Sequence, residues 1–446
     1  MGAFIAAGLF IGNNAKEPGD FALGGRKTSA AGVSGVLLGA LIGGASTVGT
    51  AQMAYSTGLS AIWFTAGGGI GCLLLGMRFA RPIRESEITT ISDYLEQHYE
   101  RTGKRLSLLS VFSSSTGTII SVCAQMMSCI ALLRASFQIP SSLAAIIAAL
   151  LVLGFIAAGG LKSFSKLGAA KIVLLYLVLG VCVISAVRNG GTFTAVTSKL
   201  PFSPWFNPFG RGIATDLSAI ASMIVGIFTT QIYIQAIAAA KDVSAARTGA
   251  FISALLMPAM GFLGVWVGLS VRAGGGVMQP NQVLPAFIMG NFPPFISGVM
   301  WAGIMITIIG CAAGLLLGVS TNVTKNLLPG RFIKSERGLK ASQRTIIAAI
   351  LALSILAALK GDSGMILEMS YLGLGLRGAG TFLPFIVAII KPRLLSPEWA
   401  LASCAGGIAG MAAWWITGLP GAPLFAGLAI SAACVAIGIK KRPPAR

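Results

Sequence analysis

Gly35–Tyr55, GVLLGALIGGASTVGTAQMAY, has the length and apolarity of a membrane helix but is interrupted at its centre. Gly43-Gly44 and Ser46-Thr47 stand where an unbroken span would carry Leu or Ile. Each glycine costs about 1 kcal/mol of helix propensity relative to alanine. Backbone groups left unpaired in hydrocarbon cost several kcal/mol each, so the interruption must face protein or a water-filled cavity. In discontinuous transporter helices such freed amides and carbonyls bind solute and driving ion. The stretch therefore predicts solute transport, with Gly43, Gly44, Ser46 and Thr47 as candidate substrate ligands. The competing reading for Ser46 and Thr47 is back-bonding to a carbonyl one turn earlier.

The surrounding chain agrees. Its 446 residues are 55% hydrophobic and 10% charged, with 58 glycines and a mean hydropathy of +0.83. Apolar stretches of about 20 residues recur throughout, the mark of an all-α polytopic membrane protein. Spans are expected at 32–54, 59–80, 106–134, 140–158, 168–187, 213–238, 248–270, 295–322, 344–360, 364–390, 398–416 and 421–439. A partial segment, Gly2 to Gly12, precedes them and brings the number to about 13. The net charge of +20 does not indicate nucleic acid: with Arg78, Arg134, Arg344 and Lys360, near span ends, counted in their adjoining loops, 25 of the 33 Lys and Arg fall in alternate loops and the tail, six in the opposite loops and two, Lys171 and Arg377, within spans. This positive-inside pattern places the protein in the cell membrane, amino terminus outside and carboxyl terminus cytoplasmic. Its surroundings are then membrane lipid.

The seven cysteines lie in apolar segments without metal spacing, and the single histidine, His98, stands in a charged loop. No metal site, catalytic dyad or paired carboxylate is visible within the spans, so neither a cofactor nor an enzymatic activity is expected. Gly67-Gly68-Gly69 lacks the strand and lysine of a phosphate loop and reads as close helix packing. Span 213–238 carries Gly226, Thr229, Thr230, Gln231 and Gln235 among apolar residues, so it too should be irregular. No internal repeat is visible as sequence identity, but the odd span count would let two five-helix halves lie inverted across the membrane, which the irregular 213–238 fits. The organisation is then 1–31 partial segment and loop, 32–187 first repeat, 188–212 external loop, 213–390 second repeat, and 391–446 two accessory helices and a basic tail. Gln231 is a candidate substrate or gate residue, with interhelical hydrogen bonding as the alternative, and Gln125 a pathway-lining one. Arg377 lies midway along a span without a nearby acid, which makes it a functional candidate that could attract an anionic solute; otherwise it bonds carbonyls of the glycine-rich turn around it.

Five stretches carry a resemblance to the sodium:solute symporter family: Asp20–Arg26, Gly49–Trp63, Thr90–Leu95, Gly159–Lys162 and Gln231–Lys241. The resemblance implies a LeuT-type 5+5 inverted repeat with flanking helices and a secondary transporter of a small polar organic solute, with Na+ or H+ as the coupling ion. It also implies that sodium is held by backbone carbonyls at Gly39 and Ile42 and by hydroxyl side chains at positions 310 and 311, a turn beyond Thr307. Here those positions are Gly310 and Cys311, which offer no hard oxygen ligand. Leu41 replaces a polar neighbour of the ion, and Lys171 stands where the family has glutamine. The sodium site thus reads as degraded. Lys171 either supplies a tethered charge beside the vacant ion position or, one turn from Lys166, snorkels to the headgroups. The alternatives to sodium symport are a proton-coupled or uncoupled carrier, or a transporter-like sensor acting with a separate partner.

Overall fold

Aliphatic runs without backbone partners outside the segment can cross a bilayer only as helices, because every amide and carbonyl must be paired internally. The structure, a computed structural model, describes residues 26–439 apart from 87, 89, 100, 158–160, 276–277, 329–335, 361–363 and 420. The segment 2–12, the Asp20–Gly25 part of the first family motif, the Gly159-Gly160 turn and the tail beyond Ile439 lie outside the described residues. Among those described, two isolated bridges, Thr28 with Ala240 and Leu395 with Ile439, are the sole extended pairings.

The first helix of the described residues, α1 (Ala30–Leu41), has its first turn capped by Ser29, and it breaks at Ile42-Gly43-Gly44. It resumes as a π-turn, Ala45–Gly49, that runs into α2 (Thr50–Thr57). Gly58 then adopts φ 78° with its Cα against the Trp205 backbone, a place where a side chain fits neither the dihedral nor the space. α3 (Trp63–Leu74) and α4 (Ala80–Glu85) complete that arm. α5 (Ile91–His98) is a short amphipathic helix started by a Thr90–Asp93 capping box. α6 (Gly103–Phe137), α7 (Ser141–Ala157), α8 (Leu161–Arg188) and the surface helix α9 (Phe193–Lys199) follow.

The second interruption comes between α10 (Ile213–Thr229) and α11 (Gln231–Ala238), whose axes differ by 51°. Beyond it run α12 (Val243–Ala273), α13 (Val283–Asn291), α14 (Pro294–Asn326), α15 (Glu336–Lys360), α16 (Ile366–Ile390), α17 (Pro397–Thr417) and α18 (Pro423–Gly438). Among the described residues, eight helices are long and apolar enough to cross a membrane, nine with the bent pair counted as one, and α1, α7 and α18 are shorter apolar helices.

Burial separates the layers. The most apolar window of α14 is 94% buried and that of α6 83%, against 33% for the corresponding window of α15 and 28% for α17. Leu255 on α12 and Ile416 on α17 are instead about three-quarters exposed, as lipid-facing residues are. The two broken helices and α14 therefore form the centre, with α6, α8 and α16 against them. Close approach is made by glycine: Gly168 of α8 lies on the Gly35 carbonyl of α1, and Gly226 of α10 on Leu374 of α16.

Candidate functional site

An α-helix leaves its last four carbonyls unpaired and its C-terminal end partially negative. The break after α1 places such an end inside the protein. Leu38 O is taken by the Ile42 amide at 2.7 Å. Ala40 O accepts from Cys311 Sγ at 2.9 Å and from the Tyr233 hydroxyl at 3.3 Å. The Lys171 ammonium donates to Gly39 O, to Ile42 O at 3.3 Å and to Thr307 O of α14 at 3.2 Å. Three donors on a compact cation thus meet three carbonyl oxygens, an arrangement of the kind a hard cation accepts.

Local sequence explains how the lysine gets there. Gly168 lets α8 sit directly on Gly35, so Lys171, three residues further along, comes level with Gly39. A Cβ at position 310 would lie 3.1 Å from Nζ and 3.4 Å from Cδ of Lys171, so Gly310 leaves the space the lysine stem occupies. Lys171 is 2% exposed, and this corrects the snorkelling alternative: the ammonium points inward to the break. Gly39, Ile42, Thr307, Gly310, Cys311 and Lys171, separated in sequence, form one cluster.

The remaining freed groups of the first break are satisfied by protein. Gly44 N–H donates to Gln125 Oε1 of α6 at 2.7 Å, and Gly43 N–H to Ser46 Oγ at 2.9 Å. Ser46 Oγ and Thr47 Oγ1 donate back to Gly43 O at 3.0 and 2.8 Å, and both side chains are fully buried. For these two the geometry is back-bonding, not an open substrate ligand, because a carbonyl just released from a helix is the nearest acceptor. Gln125 caps the break and does not line open space.

At the second break Thr230 is extended (φ −90°, ψ 117°), and its hydroxyl returns to Gly226 O at 2.6 Å. Gln231 Oε1 accepts from Ile91 N–H at 3.1 Å, one of the orphan amides at the start of α5, which is the interhelical hydrogen bonding that stands as the alternative to a substrate or gate role. Arg377 is 1% exposed and lies between α16 and α6, donating to Gly373 O at 3.1 Å, Ser121 Oγ at 2.6 Å and Thr118 Oγ1 at 3.5 Å.

Sequence reading missed Tyr233, the aromatic in QIYIQAIAAAK that joins the two breaks, and Gln52. The Gln52 amide donates to Gly364 O and accepts from Ile366 N–H, each at 3.1 Å, clamping α2 to the start of α16. It also missed a latch on the face rich in Lys and Arg. There Lys325 at the end of α14 pairs with Asp93 at 2.5 Å, Asn326 donates to Thr90 Oγ1 at 3.2 Å, and Arg84 donates to Ala240 O at 2.6 Å. The Lys325–Asp93 pair is partly exposed, so breaking it should change stability by no more than about 1 kcal/mol. Lys325→Met is instead expected to raise labelling of a cysteine placed at Asn322 by an impermeant maleimide applied to that face. Unchanged labelling would remove the latch from gating. On the opposite face a cavity of about 430 Å3 lies between α10, α16, α17 and α18, and none of its lining residues belongs to either break.

Two broken helices, the first holding a buried cation against α14 and the second bonded through Tyr233 to the end of α1, are the arrangement of a membrane solute transporter of the inverted-repeat kind. The family model of the sodium:solute symporter family matches residues 21–407, and the chain belongs to that family. Its fold is similar to a Na+-coupled sialic acid symporter in a substrate-bound outward-open state, at 16% identity, with 98% of this chain and 94% of that one covered and a TM-score of 0.81. A nucleobase-cation-symport-1 family transporter in a closed conformation, with bromovinylhydantoin bound, aligns at 12% identity over 94% and 93% with a TM-score of 0.62. The Eremococcus coleocola manganese transporter aligns at 14% identity over 92% of each chain with a TM-score of 0.52. No curated protein matches.

Proposed function

We propose that the chain is a carrier for a small polar organic solute in which the Lys171 ammonium takes the place of a sodium ion, so that transport proceeds without sodium. The observation that carries this reading is the set of three carbonyl partners of Lys171: Gly39, Ile42 and Thr307. A sodium ion there would neutralise the C-terminal end of α1 and tie it to α14. The ammonium supplies the same charge at the same oxygens, and its stem adds a tie to α8. Being covalently attached, it cannot be released down a gradient. Net flux is then driven by the solute's own gradient, by exchange, or by a proton carried on Lys171 itself.

Alternating access follows from what the ammonium joins. With α1, α8 and α14 held together and the Lys325–Asp93 latch closed, the basic face is shut. Opening requires α8 to move relative to the break and draw the ammonium from its oxygens. The protein resides in the cell membrane with its basic face towards the cytoplasm, amino terminus outside and carboxyl terminus inside.

Thermal unfolding of the purified chain tests the ion question without knowledge of the solute. Changing sodium for potassium at about 150 mM should leave the midpoint unmoved, since an ion that does not bind adds no linkage free energy. In proteoliposomes, replacing external sodium with potassium should leave uptake unchanged. Sodium-selective stabilisation, or uptake that rises with sodium, would overturn the proposal.

A further inference from the structure

Arg377 is the second buried cation of the core, and the proposed ion substitution does not use it. All three of its partners are neutral: a backbone carbonyl and the hydroxyls of Thr118 and Ser121. Among the described residues no carboxylate lies against it. Asp216, the one buried acid among them, is already held by Arg211 at 2.7 Å. A guanidinium has five N–H donors, and these bonds use one on each nitrogen. One hydrogen on each terminal nitrogen therefore has no protein acceptor among the described residues. Two free donors are what a carboxylate takes up through its two oxygens. Burying an arginine without a counter-charge is expensive, and the chain keeps room for it: a Cβ at Gly117 would strike the Arg377 stem.

Its register places the group at the level of both breaks. Thr118, Ser121, Gln125 and Ser128 lie along one face of α6 at helical spacing. Gln125 holds the Gly44 amide, and Ser128 abuts the Gly44 Cα. Ser121, which binds the guanidinium, is thus one turn, about 6 Å of rise, from Gln125, the residue that holds the first break. On the other side, Leu374 and Gly378, the residues flanking Arg377 along α16, pack on Gly226 and Val225. Thr230 of the second break is one turn beyond Gly226. We infer that Arg377 is the specificity-determining residue of the solute site and that the solute is a small organic anion whose carboxylate it receives. This names the substrate class within the carrier reading above and rests on it.

The purified full chain in detergent micelles would be tested by thermal shift against propionate, lactate, pyruvate and benzoate, each beside its primary amide. At least one carboxylate should stabilise the wild type while its amide does not. Arg377→Gln should abolish that preference. Arg377→Lys, which keeps the charge but loses the planar fork, should retain it with affinity weakened about 10-fold, and it serves if Arg377→Gln does not fold. A panel without carboxylate preference, amides that perform equally, or a preference that survives Arg377→Gln would overturn the inference. None of these outcomes touches the sodium question, since no sodium is varied; conversely, sodium stabilisation of the wild type would remove the tethered-ion reading and leave the anion site standing.

Discussion

Lys171→Ala is expected to lower uptake by about 30- to 100-fold, the equivalent of losing charge-assisted hydrogen bonds of about 2–3 kcal/mol. The variant leaves Gly39 O, Ile42 O and Thr307 O facing a vacated space, and sodium should not refill it because positions 310 and 311 lack hydroxyls. Adding Gly310→Ser and Cys311→Ser supplies the missing oxygens in the room the lysine has left. The triple variant should therefore become sodium-dependent, both in uptake and in thermal stability. At sodium one hundred times above its dissociation constant the stabilisation would be about 2.7 kcal/mol. Gly310→Ser alone should be harmful, since its Cβ would already lie 3.1 Å from the ammonium. The two positions should thus be strongly non-additive in a double-mutant cycle. A triple variant indifferent to sodium, with its fold intact, would remove the idea that the ammonium occupies an ion's place.

Gly43→Val should abolish uptake and destabilise the protein by about 1–3 kcal/mol, read as a lowered unfolding midpoint in detergent. A Cβ at this position would lie 2.5 Å from Cys311 Cβ and 2.5 Å from Gln125 Oε1. The first neighbour is fixed to the α14 backbone. The second can retreat only by giving up the Gly44 amide, which would leave a buried donor unpaired. Pairing the milder Gly43→Ala with Cys311→Gly should restore part of the loss, because the hardest clash is then gone. Wild-type uptake in Gly43→Val would mean that close approach at the break is unimportant.

The sequence carried the architecture because its signals are local. A glycine pair with Ser and Thr in one apolar run, and Gly226 with two threonines in another, mark interruptions by their cost in a helix alone. The vacancy at 310 and 311 was likewise readable, through the family resemblance, as missing oxygen ligands. The destination of Lys171 was not. From one Cα a lysine reaches either the headgroups or the ion position, and the choice is made by Gly168 lying on Gly35, a tertiary contact without a sequence signature. The partner of Gln231 was hidden for a similar reason. Its amide sits next to the break, but the strongest demand for it comes from the start of α5, more than a hundred residues away in the chain. Tyr233 and Gln52 escaped notice because their partners are backbone groups of distant elements, and every residue type presents the same carbonyl.

The shared acceptor at Ala40 has a mechanical meaning. Tyr233 hangs from the second interrupted helix and Cys311 from α14, yet both are fastened to one oxygen at the end of α1. An arm that tilts alone forfeits its own bond to that oxygen, about 1 kcal/mol, so states in which only one arm has moved are disfavoured by about that much.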